Sequence, residues 1–246
     1  MTKRALLFGG IGTILETSEI QREAFNRAFA EAGLDWVWDK DQYRRLLVTP
    51  GGTQRIAGFA RARKETGIDA AALHARKTEF FHARLRQGKL LPRPGVARLL
   101  CECAELNVLT GLASNTDGKT SRLVLEAAGL DPAAFSVISD RSNIESSKPS
   151  GDVYRFCLEN LGICPENALA IEDSESGLRA ALDAGLSCIV TPGGNTRDQD
   201  YGGALATLNC LGDKHVPAQI ISGTDVLTGG AFTLSDWSGV TSTVRS

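Results

Sequence analysis

Long apolar runs are missing from this 246-residue chain. The first run, Ala5 to Phe8, is too short for a signal-peptide core and far below a membrane span, so a cytoplasmic location and no membrane partner are expected. Net charge is also scarce. The 27 Lys+Arg against 29 Asp+Glu leave a formal charge of -2, which provides no global field to draw nucleic acid or an anionic membrane. Any anion must be held locally. The six cysteines (Cys101, Cys103, Cys157, Cys164, Cys188 and Cys210) contain no CxxC pair, and only three histidines accompany them. That argues against a thiolate or imidazole metal centre and for reduced, buried thiols. Internal repeats and low-complexity tracts do not occur.

What is present is an ordinary globular composition, 42% hydrophobic and 23% charged. At this length it can fill one large domain or a core with a smaller inserted partner, and the pattern of elements favours the second. Residues 4–8 read as a buried strand that breaks into Gly9-Gly10-Ile11-Gly12-Thr13. A helix follows, with Ser18 and Gln21 in a capping-box pattern, Ala24, Phe25, Ala28 and Phe29 on one face, and a stop at Gly33. The chain then stays helical and strand-poor to about residue 90, with Leu46, Leu47, Ile56, Phe59, Leu73, Phe80 and Phe81 as its expected core. After Pro92-Arg93-Pro94-Gly95, helices near 95–105, 118–128, 152–161 and 177–184 alternate with strands near 108–113, 135–139, 168–171 and 187–191. Such alternation predicts βαβ units and a parallel sheet. The predicted organisation is an α/β core of residues 1–15 and 92–246 with an α-helical cap, 16–91, inserted after the first strand. The tail beyond 205 offers a weak strand or two and a Gly/Ser/Thr-rich end.

In a parallel sheet ligands bind beyond the carboxyl ends of the strands, which selects four places: the loop at Gly9, Ser114-Asn115, Lys148-Pro149 and Glu172-Asp173. Singly, each has a plain structural reading: a helix N-cap, a solvated lysine before a helix-opening proline, a pair of surface acids. Together, a hydroxyl, an ammonium and paired carboxylates can supply a phosphate hydrogen bond, a counter-charge and oxygen ligands for a hard cation.

In this arrangement the chain resembles the haloacid dehalogenase superfamily, in its CbbY-like and β-phosphoglucomutase-like branch. Phe8-Gly9-Gly10-Ile11-Gly12-Thr13 stands where that family carries F-D-x-D-G-T. Ser114-Asn115, Lys148-Pro149 and Ile171-Glu172-Asp173-Ser174-x-x-Gly177 match its later motifs. In the cap, Trp36-Val37-Trp38-Asp39, Tyr43 and Thr49-Pro50-Gly51-Gly52-Thr53-Gln54-Arg55-Ile56 are similar to the pattern of CbbY-like sugar-bisphosphate phosphatases. The resemblance implies a Rossmann-like core and a phosphoryl-transfer site in which Ser114 and Lys148 hold phosphate. It implies that Asn115, Arg55, Gly52, Tyr43 and Gln21 contact substrate, with Arg55 facing a distal phosphate. It also implies Mg²⁺ on Asp173 and Glu172, and a monomer.

Two positions depart from that pattern. The family's nucleophile and its acid/base are Gly9 and Ile11 here, and no other Asp or Glu lies between residues 1 and 15. Losing such a nucleophile costs about 5–8 kcal/mol of transition-state stabilisation. Mg²⁺, deprived of one carboxylate, should bind weakly or not at all. Two smaller departures are Gln21, where the branch usually has histidine, and Thr53 in place of lysine. The expected protein is therefore a phosphatase scaffold that binds a phosphorylated sugar or phosphate with impaired chemistry. Two other readings stay open: hydrolysis by a rescue route, through water placed by Glu172 and Asp173 or attack by Thr13, and a non-catalytic interaction protein on the same fold.

Overall fold

The computed structural model describes residues 3–49, 51–88 and 90–237. Pro50 of the cap motif and the Gly/Ser/Thr-rich end beyond residue 237 lie outside the described residues. The chain divides into two compact units, Met1–Glu16 with Lys89–Ser246, and Thr17–Gly88.

The first unit is built on a sheet whose strands are β1 (Ala5–Phe8), β2 (Leu109–Leu112), β3 (Val137–Ile138), β4 (Ala168–Glu172), β5 (Ser187–Val190), β6 (Ala206–Leu208) and β7 (Ile220–Gly223). Their order is β3-β2-β1-β4-β5-β6-β7, parallel throughout except for β7. β1 and β4 are buried at every residue, as unbroken apolar strands at the centre of a doubly covered sheet must be. In register, Phe8 stands beside Leu112 on one side and Ile171 on the other. The strand order reverses direction between β1 and β4, so the crevice beyond their carboxyl ends is where such a sheet binds ligands.

A single turn, α1 (Ile11–Ile14), follows β1, and the later helices of this unit are α6 (Val96–Glu105), α7 (Gly118–Ala127), α8 (Asp152–Leu161) and α9 (Glu175–Asp183). In α6 the buried residues Val96, Leu99, Leu100 and Cys103 follow the three-four spacing that puts one face on the sheet. Cys101 falls off that stripe and is exposed, as is Cys164 in the turn before β4, so the expectation of uniformly buried thiols fails at these two. The Ser114-Asn115 pair does not cap α7: Asp117 does, accepting from the Thr120 amide at 2.9 Å. Pro149 does not open α8, which starts at Asp152.

The second unit contains α2 (Ser18–Glu31), α3 (Lys40–Leu46), α4 (Gly52–Ala62) and α5 (Ala70–Arg86). The predicted capping box is not formed, because the cap residue makes no side-chain bond to the first amides of the helix. Thr17, not Ser18, is the cap residue, and the Gln21 amide donates to the Thr17 hydroxyl at 3.1 Å. Gly33, at φ 72, ends the helix in the left-handed conformation that glycine favours, with Leu34 N–H bonded back to Phe29. The core here is aromatic. Phe25, Phe29, Trp36, Trp38, Tyr43 and Ile56 are buried, while Leu46, Leu47 and Phe59, expected at its centre, are only partly so. Trp36 and Trp38 point inward and the intervening Val37 is 74% exposed, the alternation of an extended segment laid on a packed face. No helix among the described residues is long and apolar enough to cross a membrane.

Candidate functional site

The chain leaves β1 at Gly9, whose N–H donates to the Ile171 carbonyl at 2.8 Å. Gly10 follows at φ 101, a conformation that needs glycine, and a side chain there would press on Ser114. Ile11 opens α1. Around this turn the first unit gathers Gly9, Thr13, Ser114, Asn115, Lys148, Glu172 and Asp173. Lys148 Nζ donates to the Gly9 carbonyl at 2.9 Å and to Glu172 Oε1 at 2.5 Å. Its backbone N–H donates to Asn115 Oδ1 at 3.2 Å. Ser114 is held from behind by Ser139, which accepts from its N–H at 2.7 Å and donates to its carbonyl at 2.8 Å.

Glu172 is 1% exposed. Besides Lys148 it takes the Tyr154 hydroxyl on Oε1 at 2.6 Å and the Asp173 N–H on Oε2 at 3.2 Å. Burial pushes its carboxyl above the usual range, and the ammonium of Lys148 opposes that. Tyr154, wholly buried beside this carboxylate, is pushed well above a normal phenol, first by burial and then by the negative charge of Glu172. Asp173 is also raised by burial, against Arg93 and Lys148, and it accepts the Thr13 hydroxyl at 3.0 Å.

Thr13 is 1% exposed and spends its proton on Asp173, so it is not placed for in-line attack on a ligand. The expected metal pair also meets an obstacle. Both oxygens of Glu172 already accept hydrogen bonds, which reduces the expected pair to Asp173, itself accepting the Thr13 hydroxyl, whereas Mg²⁺ is held through one or two carboxylates with waters and ligand phosphates completing its octahedron. Among the described residues no group of three or more His, Cys, Asp or Glu side chains could hold a metal ion. In this arrangement the Glu172–Asp173 pair does not fit Mg²⁺.

The remaining predicted residues, Gln21, Tyr43, Gly52 and Arg55, gather in the second unit. Arg55 is not on the surface, and among the described residues its guanidinium bonds to backbone carbonyls rather than to a carboxylate. It is 8% exposed, donates to the Leu46 and Thr49 carbonyls at 3.0 and 3.1 Å, and lies 5.7 Å over the Tyr43 ring. At Gly52 a β-carbon would overlap the imidazole of His74. Gln21 accepts from Lys77 Nζ at 2.9 Å, and this ammonium also lies 4.8 Å from the Phe25 ring and 4.9 Å from Phe81.

Lys77 and His74 were not singled out in the sequence. Lys77 has a readable signal, because it sits on the buried stripe Leu73, Lys77, Phe80, Phe81, Leu85 of α5, where a solvated lysine has no reason to be. Burial lowers its pKa to about 7, with Arg55 adding to the shift. Burial likewise lowers that of His74, with Lys77 and Arg55 adding. In the first unit the unpredicted residues are Tyr154, Glu16 and Arg93. Arg93 donates to the Gly12 and Pro192 carbonyls at 3.1 and 2.9 Å. Glu16, expected on the cap side, belongs to the core unit and adds to the raising of Asp173.

A model of haloacid dehalogenase-like hydrolases matches residues 4–185. The chain belongs to the haloacid dehalogenase-like hydrolase family. Protein CbbY of Cereibacter sphaeroides is 42% identical over 213 residues, covering 85% of this chain and 93% of that protein. Protein CbbY of Rhodobacter capsulatus is 37% identical over 208 residues, covering 83% of this chain and 92% of that protein. The crystal structure of CbbY from Rhodobacter sphaeroides in complex with phosphate superposes with a TM-score of 0.79 at 40% identity, covering 85% of this chain and 95% of that one. A variant of the same protein has been crystallised with xylulose-(1,5)bisphosphate, again at TM-score 0.79, 40% identity and the same coverage. The Rossmann-like sheet and the CbbY-type scaffold of this family member are thereby established.

Proposed function

We propose that this chain is a phosphosugar-binding member of the CbbY group that does not turn its ligand over at an enzymatic rate. The observation that carries the reading is the turn after β1. Gly9 and Ile11 present no carboxylate there, while Ser114 and Lys148 stand at the ends of the neighbouring strand and loop with a hydroxyl and an ammonium. Ligand binding needs the hydroxyl and the cation, and covalent phosphoryl transfer needs the nucleophile. In the second unit, buried Arg55 and Lys77 with half-buried His74 form a basic group suited to an anion. The ligand class is taken from the relatives: CbbY structures hold phosphate and xylulose bisphosphate. The rescue route through Thr13 is disfavoured by its burial. On this reading the protein is cytoplasmic and monomeric, and Mg²⁺ binds weakly if at all.

The test is a phosphatase assay on xylulose-1,5-bisphosphate with Mg²⁺ supplied. Turnover below about 0.1 s⁻¹ is expected, one-tenth of the low end of typical enzymes, and a higher rate overturns the reading. Binding of the same sugar by calorimetry is expected alongside, and its absence would leave the fold as a scaffold only.

A further inference from the structure

Gly9 and Gly177 are not glycines for the sake of their backbones. Neither is among the positions with positive φ, so any residue could adopt their conformation. What forbids a side chain is the carboxyl group of Glu172. A β-carbon built at Gly9 overlaps all three of its terminal atoms, and one built at Gly177 overlaps them from another side, in both cases closer than real β-carbons approach. The carboxylate thus lies in a slot with glycine on two walls, fixed by Lys148 at 2.5 Å, Tyr154 at 2.6 Å and the Asp173 N–H at 3.2 Å. Lys148 bridges it to the Gly9 carbonyl.

We propose that Glu172 is the resident occupant of the volume that a side chain at position 9 would fill, and that it serves there as the counter-anion of Lys148. A carboxylate at position 9 and Glu172 in this pose exclude one another. An incoming phosphate must compete with Glu172 for the lysine. That last consequence rests on the phosphosugar-binding reading, whereas the occupancy itself does not.

A melting cycle on the full chain tests the occupancy, using the wild type, Gly9→Ala, Glu172→Asp and the double variant. Aspartate is one methylene shorter and withdraws the carboxylate from the slot. Gly9→Ala is therefore expected to lower Tm by about 5 °C in the wild type and by about 1 °C in the Glu172→Asp background. Equal shifts in the two backgrounds would overturn the proposal. Calorimetric titration with inorganic phosphate provides a second readout. Glu172→Gln keeps the shape and removes the charge, so it should bind phosphate about tenfold tighter than the wild type. Measurable binding that is unchanged or weaker counts against the proposal. If neither form binds phosphate while the melting cycle shows coupling, the phosphosugar reading falls and the occupancy by Glu172 stands.

Discussion

Lys77 should make this protein more stable as the pH rises through neutrality. The residue is 5% exposed, and its ammonium is hydrogen-bonded to the neutral amide oxygen of Gln21 at 2.9 Å, flanked by the Phe25 and Phe81 rings, and close enough to Arg55 to feel its charge. The folded-state pKa is about 7, against about 10.4 for an unfolded lysine. Between those values the unfolded chain keeps a proton that the folded chain has released, so raising the pH favours folding. From about pH 6 to about pH 8 the gain is about 1 kcal/mol, or about 2–4 °C in Tm for a chain of this size.

Intrinsic fluorescence is a suitable probe, because two of the three tryptophans, Trp36 and Trp38, are buried in the same unit. Lys77→Met removes the titrating group while keeping an unbranched apolar stem. Its melting temperature should be higher than that of the wild type at the acidic end and closer to it at the alkaline end. His74, lowered in the same direction, leaves a smaller slope in the variant, concentrated at the acidic end. A Lys77→Met protein whose Tm rises with pH as steeply as the wild type would refute the assignment.

Three further outcomes follow from named contacts. Gly9→Asp with Ile11→Asp should raise phosphatase turnover above the wild type, and more so in a Glu172→Asp background where the slot is vacated; turnover assays on xylulose-1,5-bisphosphate measure both. Lys148→Met strands the buried Glu172 carboxylate and should cost about 3–5 kcal/mol in denaturant unfolding, most of it recovered in Lys148→Met/Glu172→Gln. Gly52→Ala drives a methyl into His74 and should destabilise by about 1–3 kcal/mol; His74→Ala should relieve most of that in a two-site melting cycle.

The element order was legible because period and punctuation are local. The apolar run at Ala5–Phe8, the helical stripe of Val96, Leu99, Leu100 and Cys103, and Gly33 as a helix stop can each be read within a dozen residues. The misreadings were contests between near neighbours. Thr17 and Ser18 both suit a cap, as do Ser114, Asn115 and Asp117, and only the observed hydrogen bonds, the Gln21 N–H on the Thr17 carbonyl and the Thr120 N–H on the Asp117 carboxylate, choose Thr17 and Asp117. The cap core reads as leucine-centred in the sequence because Trp36 and Trp38 sit outside a helix, in an extended segment that the helical period does not cover.

By itself the sequence determined which chemical groups the protein owns: a hydroxyl at Ser114, an ammonium at Lys148, carboxylates at Glu172 and Asp173, and none at positions 9 and 11. It also determined that these groups follow strands, and hence face one end of a parallel sheet. Only the tertiary structure decided how they are spent. Glu172 is turned onto Lys148 and Tyr154 within the space left by Gly9 and Gly177, and Thr13 is committed to Asp173. The physical reason is range: strand and helix signals act over a few residues, whereas the partner of a buried charge is set by whichever polar atom the fold brings within hydrogen-bond distance, here across 24 positions from Lys148 to Glu172.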